Sequence, residues 1–559
     1  MQTTDHKHIE HLVALCAAAG IREVVLSPGS RNAPLIIAFD AVQSIKKFLV
    51  HDERSAAFFA LGMAESTGRP VALCCTSGSA VLNYAPAISE AYYRRIPLLV
   101  LTADRPIELV DQGDGQTIRQ KNVFQNFVKS QFQLPNHDDE NQNDKSDKTV
   151  IRSLNELFNL PFGPVHLNIP LNEPLYGLKA PGIQFENPVV SVEIAELTKA
   201  QLSEISQIWL DSTKIMILVG QQSADEQDVA RTEKFLSTFC GAVLTENTSG
   251  LTGDSICYCI DRTLAGLRPE DESAFTPDLV VTLGGAIISK RIKTFLRKYK
   301  PAAHWRIGRF HFEEDSFGAL TQSIKMDAGD FLSLAAGLAG QKGNYGSLWK
   351  DLDARSTLKH RAFLNSSPFC DLSAFEQILS ALPAGCDVHL GNSSVVRYAQ
   401  LFQPNDTVRY FSNRGVSGID GCASTAVGFS IGTNRLNVLI TGDISFFYDG
   451  NAFWNNHLHS RLRIIVINNG GGGIFRYLPG PSETPQLNYF VAPHCGNIEK
   501  FSAAHDLSFR RADSADTLKK GLKWLFGVPP ANRPGILEVD TSTVQNEEIL
   551  KKYFNDLTA

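Results

Sequence analysis

At 559 residues the chain is too long for one hydrophobic core, and at about 100–200 residues per domain it should hold roughly three or four domains. Hydrophobic residues make up 43% and charged residues 20%, with a net charge of −6, so nothing in the balance draws the chain to nucleic acid or to an anionic membrane. No apolar run approaches the roughly 18–20 residues of a membrane-spanning helix. The ten cysteines lack zinc-ribbon spacing and read as buried, reduced thiols of a cytoplasmic protein.

The opening segment "MQTTDHKHIEHLVALCAAAG" reads as an amphipathic helix and not as a signal peptide. Short runs of Val, Ile and Leu then alternate with segments of helical length. In the first third they are Ile21–Ser27, Pro70–Ser77, Ile96–Asp104 and Gly163–Pro170. Lys214–Gly220 and Asp278–Gly285 follow, and then Cys386–Asn392, Leu436–Asp443, Leu462–Asn469 and Gly535–Asp540. Continuous apolar strands separated by helices predict parallel sheets covered on both faces, an α/β chain of doubly wound domains. The polar run Asn136–Lys148 reads as a solvated loop. The Pro- and Gly-containing segment Asn168–Gly182 reads as the exit of a first domain, and Ala339–Ser356 as a second linker, which divides the chain into 1–182, 183–350 and 351–559. The segments beginning "CCTSGSAVLNYAPAI" and "LITGDISFFYDGNAF" share one layout of strand, turn, helix and strand, with Phe446–His459 as the helix of the second, so the first and last domains read as related.

In open parallel sheets ligands bind beyond the carboxyl ends of the strands. Gly442-Asp443 ends one apolar run, and Asn469-Gly470-Gly471 follows the next one. If these strands are neighbours, a carboxylate, an amide oxygen and a glycine carbonyl converge. That hard-oxygen set suits Mg²⁺ or Mn²⁺, with phosphate oxygens and water completing the octahedron. The glycines would let backbone N–H groups approach a diphosphate, and Ser445 could donate from the helix start. Asp443 taken alone reads better as a helix cap.

A Gly-Asp pair followed one crossover later by Asn-Asn resembles the diphosphate–metal motif of the thiamin-diphosphate-dependent enzymes, with Ile444 standing where that motif usually has Gly. The segment from "HDERSAAFFALG" through "TSGSA" to "LTADRP" resembles their pyrimidine-binding domain. Further motifs, "SPGSRNAPL", "GNSSVVR", "SNRGVSGIDG" and "NNGGGGIFRYLP", resemble the menaquinone-pathway branch of that family over nearly the whole length. The resemblance implies three domains (pyrimidine-binding, central and diphosphate-binding). It implies thiamin diphosphate with Mg²⁺ or Mn²⁺ as cofactors. It also implies a reaction joining 2-oxoglutarate to isochorismate with loss of CO₂.

Residue by residue, the resemblance makes Glu53 the catalytic carboxylate at the aminopyrimidine ring and Thr76, Ser77 and Gly78 its neighbours. Ile419 becomes the apolar prop under the bent cofactor. Gly442, Asp443, Ile444, Ser445, Asn469, Gly470 and Gly471 become the diphosphate site, with Asp443, Asn469 and the Gly471 carbonyl on the metal. Two substrates carrying two carboxylates each call for cations. Arg31, Arg105, Arg397, Arg414 and Lys290 match those positions, with Ser30, Gln116 and Ser393 as neutral donors and Ile474 and Phe475 as an apolar wall. Taken singly, each arginine reads as a surface ion pair, Glu53 as a first-turn helix acid and Ile419 as core. The family pattern further implies a homodimer or homotetramer with the active site at a subunit interface. Two other readings stay open: a different thiamin-diphosphate enzyme, such as an acetohydroxyacid synthase or a 2-oxoacid decarboxylase, and a non-catalytic nucleotide-binding protein. The second finds no P-loop and no convincing dinucleotide fingerprint.

Overall fold

The computed structural model describes residues 2–136, 143–191, 197–222, 226–312, 314–338, 343–527 and 533–558. They form three parallel sheets with helices between the strands. The first sheet runs Lys46–Leu49, Glu23–Leu26, Val71–Cys75, Leu98–Asp104, Val165–Pro170, Ser130–Gln133. The last runs Arg409–Phe411, Asp387–Leu390, Asn437–Gly442, Leu462–Asn468, Gly535–Asp540, Ser508–Ala512. Numbered along the chain within each sheet, both have the order 2-1-3-4-6-5. That identity supports the kinship read from their shared layout. The middle sheet, Ala242–Thr245, Ile215–Val219, Leu279–Leu283, Ala303–Gly308, Gln322–Lys325, has the order 2-1-3-4-5.

Every apolar run expected to be a strand is one. Among the described residues, the strands not named in advance are the two outer strands of each parallel sheet, the inner strand Ala303–Gly308, and Thr3–Thr4 and Leu178–Lys179, which pair antiparallel as a small separate sheet. Outer strands have a neighbour on one side only, and several are polar and part-exposed, as in "KKFL", "SQFQ" and "QSIK". Inner strands such as Val71–Cys75 and Leu98–Asp104 are buried along their whole length.

Three expectations need correction. The run Asn136–Lys148 is not all loop, because helix Asn143–Phe158 begins inside it and packs Val150, Leu154 and Leu157 into the first core; residues 137–142 lie outside the described residues. The candidate linker Ala339–Ser356 is largely the start of helix Tyr345–Ser366, anchored by the buried Trp349 and Leu352; residues 339–342 lie outside the described residues. The segment Phe446–His459 was expected to form one helix. Instead helix Asp443–Tyr448 stops at Asp449, whose buried carboxylate accepts the Ser424 N–H and hydroxyl, each at 2.7 Å, and a 3₁₀ turn follows.

The chain divides into two compact units. One comprises Met1–Glu193 with Asn413–Arg435 and Ser445–Leu462; the other comprises Ile194–Ser412 with Leu436–Ile444 and Arg463–Ala559. In the first unit, helix Glu53–Thr67 lies against helix Cys422–Ile431. Their approach depends on two glycines. A Cβ on Gly62 would lie 2.0 Å from the Thr425 carbonyl oxygen, and one on Gly428 would lie 1.9 Å from that of Phe59. All ten cysteines are free, and Cys240 and Cys495 are the two exposed ones. Among the described residues no helix is long and apolar enough to cross a membrane.

Backbone cannot yield to a new methyl as a flexible side chain can. Gly428→Ala should therefore lower stability by about 1–3 kcal/mol or more, seen as a lower thermal midpoint. An unchanged midpoint would show that the helix pair has slack that the glycine contacts deny.

Candidate active site

In the first unit, the crossovers of the first sheet diverge between Glu23–Leu26 and Val71–Cys75, and the turns after these strands meet. The Arg31 N–H donates to the Thr76 hydroxyl at 3.3 Å. The Ser77 hydroxyl donates to the Gln116 carbonyl at 2.9 Å, and the Gly78 N–H donates to Gln120 Oε1 at 2.9 Å. Gly78 takes φ +84° with the Gln116 backbone 3.1 Å from where a Cβ would sit, so glycine is required there. Gln116 itself is held at φ +56°, a conformation that costs a non-glycine residue about 1–3 kcal/mol. Arg105 reaches the carbonyl of neighbouring Gly115 at 3.1 Å. Ser30, Arg31, Thr76, Ser77, Gly78, Arg105 and Gln116 are thus joined by direct contacts or lie next to residues that are.

Arg31 is buried. It donates to the Leu171 carbonyl at 3.0 Å and pairs with Glu173 at 3.1 Å. Among the described residues, the buried Nε atoms of Arg31 and Arg105 have no hydrogen-bond partner. Leaving such a donor unpaired is costly, and an anion would satisfy it.

Beneath these turns runs a buried polar network that the sequence did not disclose. Gln120 Nε2 donates to Asn168 Oδ1 at 2.9 Å and to the Ala103 carbonyl at 3.0 Å. Asn168 Nδ2 donates to Asp104 at 2.8 Å, and the same carboxylate accepts the Arg105 N–H at 2.8 Å. Burial pushes the Asp104 carboxyl up to about 6, against the Asn168 bond and the charge of Arg31.

Glu53 opens helix Glu53–Thr67, capped by Asp52, which accepts the Ser55 N–H at 2.9 Å. Burial holds the Glu53 carboxyl above the usual carboxylate range; the charge of Asp52 adds to this, and a bond with Asn83 opposes it. The segment carrying Arg414 and Ile419 is pinned by Glu90, a buried carboxylate that accepts the N–H groups of Gly415 at 2.8 Å and Val416 at 2.7 Å. The Ile419 carbonyl accepts the Ser445 hydroxyl at 2.9 Å.

In the second unit, the last sheet repeats the pattern between Asp387–Leu390 and Asn437–Gly442. Ser393 stands at φ +71° at the start of helix Ser394–Ala399, which carries Arg397. Asp443 is 2% exposed. Its carboxylate accepts the Ile444 N–H at 2.8 Å and the Gly471 N–H at 2.8 Å, and His494 Nε2 lies 3.2 Å away. Burial raises the carboxyl of Asp443, and these three partners pull it down. Gly471 has φ +133°, and a Cβ there would lie 2.5 Å from the Val491 carbonyl oxygen. Asp443, Asn469 and Gly471 therefore sit on two touching turns.

Their oxygens fit a hard divalent cation that takes its remaining ligands from phosphate and water. The Gly471 carbonyl already accepts the Gly473 N–H at 2.9 Å, which leaves its second lone pair for a metal. Among the described residues no cluster of three His, Cys, Asp or Glu could hold a metal by itself.

Lys290 and Arg397, read from distant parts of the chain, open on one cavity of about 550 Å³. Arg291 and Lys551 join them, over an apolar floor that includes Leu401, Leu478 and Phe554. Ser289 caps the Lys290 helix by accepting the Ile292 N–H at 3.1 Å. Among the described residues, the buried Arg397 Nε has no hydrogen-bond partner. Ile474 is buried, and the half-buried Phe475 faces Phe490 with ring centres 5.9 Å apart. Gln120 and Asn168 in the first unit and Asp371 and His494 in the second were not found from sequence, because each acts through tertiary contact and carries no local signature.

Gln120→Leu strands the Gly78 N–H and the Ala103 carbonyl, and should cost about 1–3 kcal/mol. Denaturant unfolding measures this; an unshifted midpoint would mean that Gly78 has another acceptor at hand.

A family model described as thiamine pyrophosphate enzyme, N-terminal TPP binding domain, matches residues 7–132. Over its full length the chain is similar to proteins named 2-succinyl-5-enolpyruvyl-6-hydroxy-3-cyclohexene-1-carboxylate synthase. That of Flavobacterium johnsoniae is 42% identical, with 98% of each chain covered. That of Porphyromonas gingivalis is 40% identical, covering 99% of this chain and 97% of its own. That of Bacteroides thetaiotaomicron is 36% identical, with 99% of each chain covered. Among solved structures, benzoylformate decarboxylase from Polynucleobacter necessarius shares the fold, with a TM-score of 0.71 over 96% of this chain and 98% of its own, at 17% identity.

Proposed function

This chain belongs to the 2-succinyl-5-enolpyruvyl-6-hydroxy-3-cyclohexene-1-carboxylate synthase family of thiamin-diphosphate enzymes, and from that premise we propose its reaction and the residues that carry it. It decarboxylates 2-oxoglutarate and adds the remaining four-carbon succinyl unit to the conjugated double bond of isochorismate, releasing CO₂, in menaquinone biosynthesis. The observation that carries the substrate reading is the 550 Å³ cavity in which Lys290, Arg291, Arg397 and Lys551 surround an apolar floor. Cations over an apolar surface suit a carbocyclic dicarboxylate.

Bound thiamin diphosphate supplies the carbon nucleophile and holds the electron pair released with CO₂. The chain's own residues do the rest. Glu53 shares a proton with the aminopyrimidine nitrogen, and burial, which raises its carboxyl, favours that sharing. Thr76, Ser77 and Gly78 line the pyrimidine side, and Ile419 props the ring. Asp443, the Asn469 side chain and the Gly471 carbonyl hold Mg²⁺ or Mn²⁺, while Gly442, Ile444, Ser445 and Gly470 line the diphosphate. Arg31, Arg105, Arg397, Arg414 and Lys290 bind substrate carboxylates, with Ser30, Gln116 and Ser393 as neutral donors. Ile474 and Phe475 form an apolar wall that excludes water.

The domain division 1–182, 183–350 and 351–559 belongs to the same proposal, with one parallel sheet in each part. So does assembly as a homodimer or homotetramer with the active site at the subunit interface, and so does a cytoplasmic location, which suits ten free cysteines.

The test is to incubate the protein with thiamin diphosphate, Mg²⁺, 2-oxoglutarate and isochorismate and to follow loss of isochorismate. CO₂ released equally fast without isochorismate would instead identify a simple decarboxylase. In the same assay Arg397→Ala should raise KM for a dicarboxylic substrate about tenfold or more, the equivalent of about 1.4 kcal/mol; an unchanged KM for both substrates would remove Arg397 from the pocket. Glu53→Gln should bind thiamin diphosphate, as measured by calorimetry, yet lose turnover. Turnover at the parent rate would exclude Glu53 from the chemistry.

A further inference from the structure

We propose that Asp371 is a positioning residue that turns the Asn469 amide oxygen toward the divalent cation. Asp371 begins helix Asp371–Ser380 and belongs to none of the motifs that point to the site. It is 1% exposed. Its Oδ2 accepts from Asn469 Nδ2 at 2.9 Å, and its Oδ1 accepts from the Thr541 hydroxyl at 2.6 Å. Its own N–H donates to Asn546 Oδ1 at 2.7 Å, and Asn546 Nδ2 reaches back to the Thr541 carbonyl at 3.3 Å. Groups from another part of the chain therefore hold the carboxylate in place.

The consequence follows from hydrogen-bond polarity. An ionised carboxylate accepts and never donates. The edge of the Asn469 amide that faces Asp371 must then be its NH₂, and Oδ1 faces the other way. An amide free to turn over can present NH₂ to a cation, and NH₂ cannot ligate a hard divalent ion. A partner that fixes the orientation of a metal ligand in this way typically accounts for a factor of about 10–100 in metal affinity. The packing around the amide is tight as well, since a Cβ on Gly473 would lie 2.8 Å from Asn469 Nδ2.

This inference rests on the reading of Asp443 and Asn469 as metal ligands, so its test must separate the two. Full-length wild type, Asp371→Asn, Thr541→Val and Asp443→Ala are each titrated with Mn²⁺ in the presence of thiamin diphosphate, and free Mn²⁺ is read from its paramagnetic resonance signal. Asp371→Asn can meet Asn469 with either amide edge. It should weaken Mn²⁺ binding about 10–100-fold, with the thermal midpoint of the metal-free protein unmoved. Thr541→Val, which loosens Asp371 without removing it, should weaken binding in the same direction by less. If Asp443→Ala loses Mn²⁺ while Asp371→Asn binds it as the wild type does, the role of Asp371 is overturned. If Asp371→Asn does not fold, wild-type Mn²⁺ affinity in Thr541→Val overturns it instead. Wild-type affinity in Asp443→Ala would overturn the metal reading itself.

Discussion

The hydrogen bond from the Gly471 amide to the Asp443 carboxylate is the contact on which the arrangement of the last sheet's carboxyl edge depends. It ties the turn after Asn437–Gly442 to the turn after Leu462–Asn468, so two strand ends become one surface. The bond also fixes what that surface presents. With one carboxylate oxygen committed to Gly471 and the other to Ile444, the carboxylate cannot rotate. Its remaining lone pairs point where the geometry of those bonds leaves them. Burial makes this ionised group expensive, and each N–H bond offsets part of the cost. A cation would offset more, which gives a physical reason for an acid this deeply buried to occupy this turn.

The first and last sheets show how one topology serves two chemistries. Both have the strand order 2-1-3-4-6-5, so each opens a crevice between its first and third strands. At the last sheet the crevice is lined by a carboxylate, an amide and glycines. At the first sheet it is lined by hydroxyls, a strained glutamine and two arginines with unpaired buried Nε atoms. The first set offers oxygen to a cation, and the second offers N–H to anions. In the middle sheet the turns after the corresponding strands are tied directly by backbone: Gly285 donates to the Gln221 carbonyl at 2.6 Å, and Gln221 donates to the Ala286 carbonyl at 3.0 Å.

What could be read from the sequence follows the same division between local and tertiary causes. An inner strand is buried on both faces and has to be apolar throughout, so Val71–Cys75 and Leu462–Asn468 announce themselves. An outer strand such as Lys46–Leu49 is specified mostly by the neighbour it pairs with, and "KKFL" reads as nothing in particular. The site behaves alike. Asp443, Asn469 and Gly471 are recognisable because strand-end position and backbone conformation constrain them locally. Asp371 acts by hydrogen-bonding to Asn469 from 98 positions away along the chain, and Gln120 by hydrogen-bonding to Gly78 from 42 and to Asn168 from 48; no local pattern encodes such partners. The expected helix Phe446–His459 failed for a related reason, since the buried Asp449 serves Ser424 and not its own helix.

Ser393 brings strain into the same account. It sits at φ +71° and ψ −125°, close to the φ +84° and ψ −138° of Gly78, and both stand between a strand end and a short helix. Gly78 takes that conformation freely. A serine there costs about 1–3 kcal/mol, and a glycine at 393 would remove the cost. The serine is therefore not explained by the backbone. What it adds over glycine is a hydroxyl, held at the start of a helix whose next turn carries Arg397 with its unpaired Nε. A donor and a cation set one helical turn apart by a strained backbone form a pre-organised pair of the kind that the proposed dicarboxylate site requires.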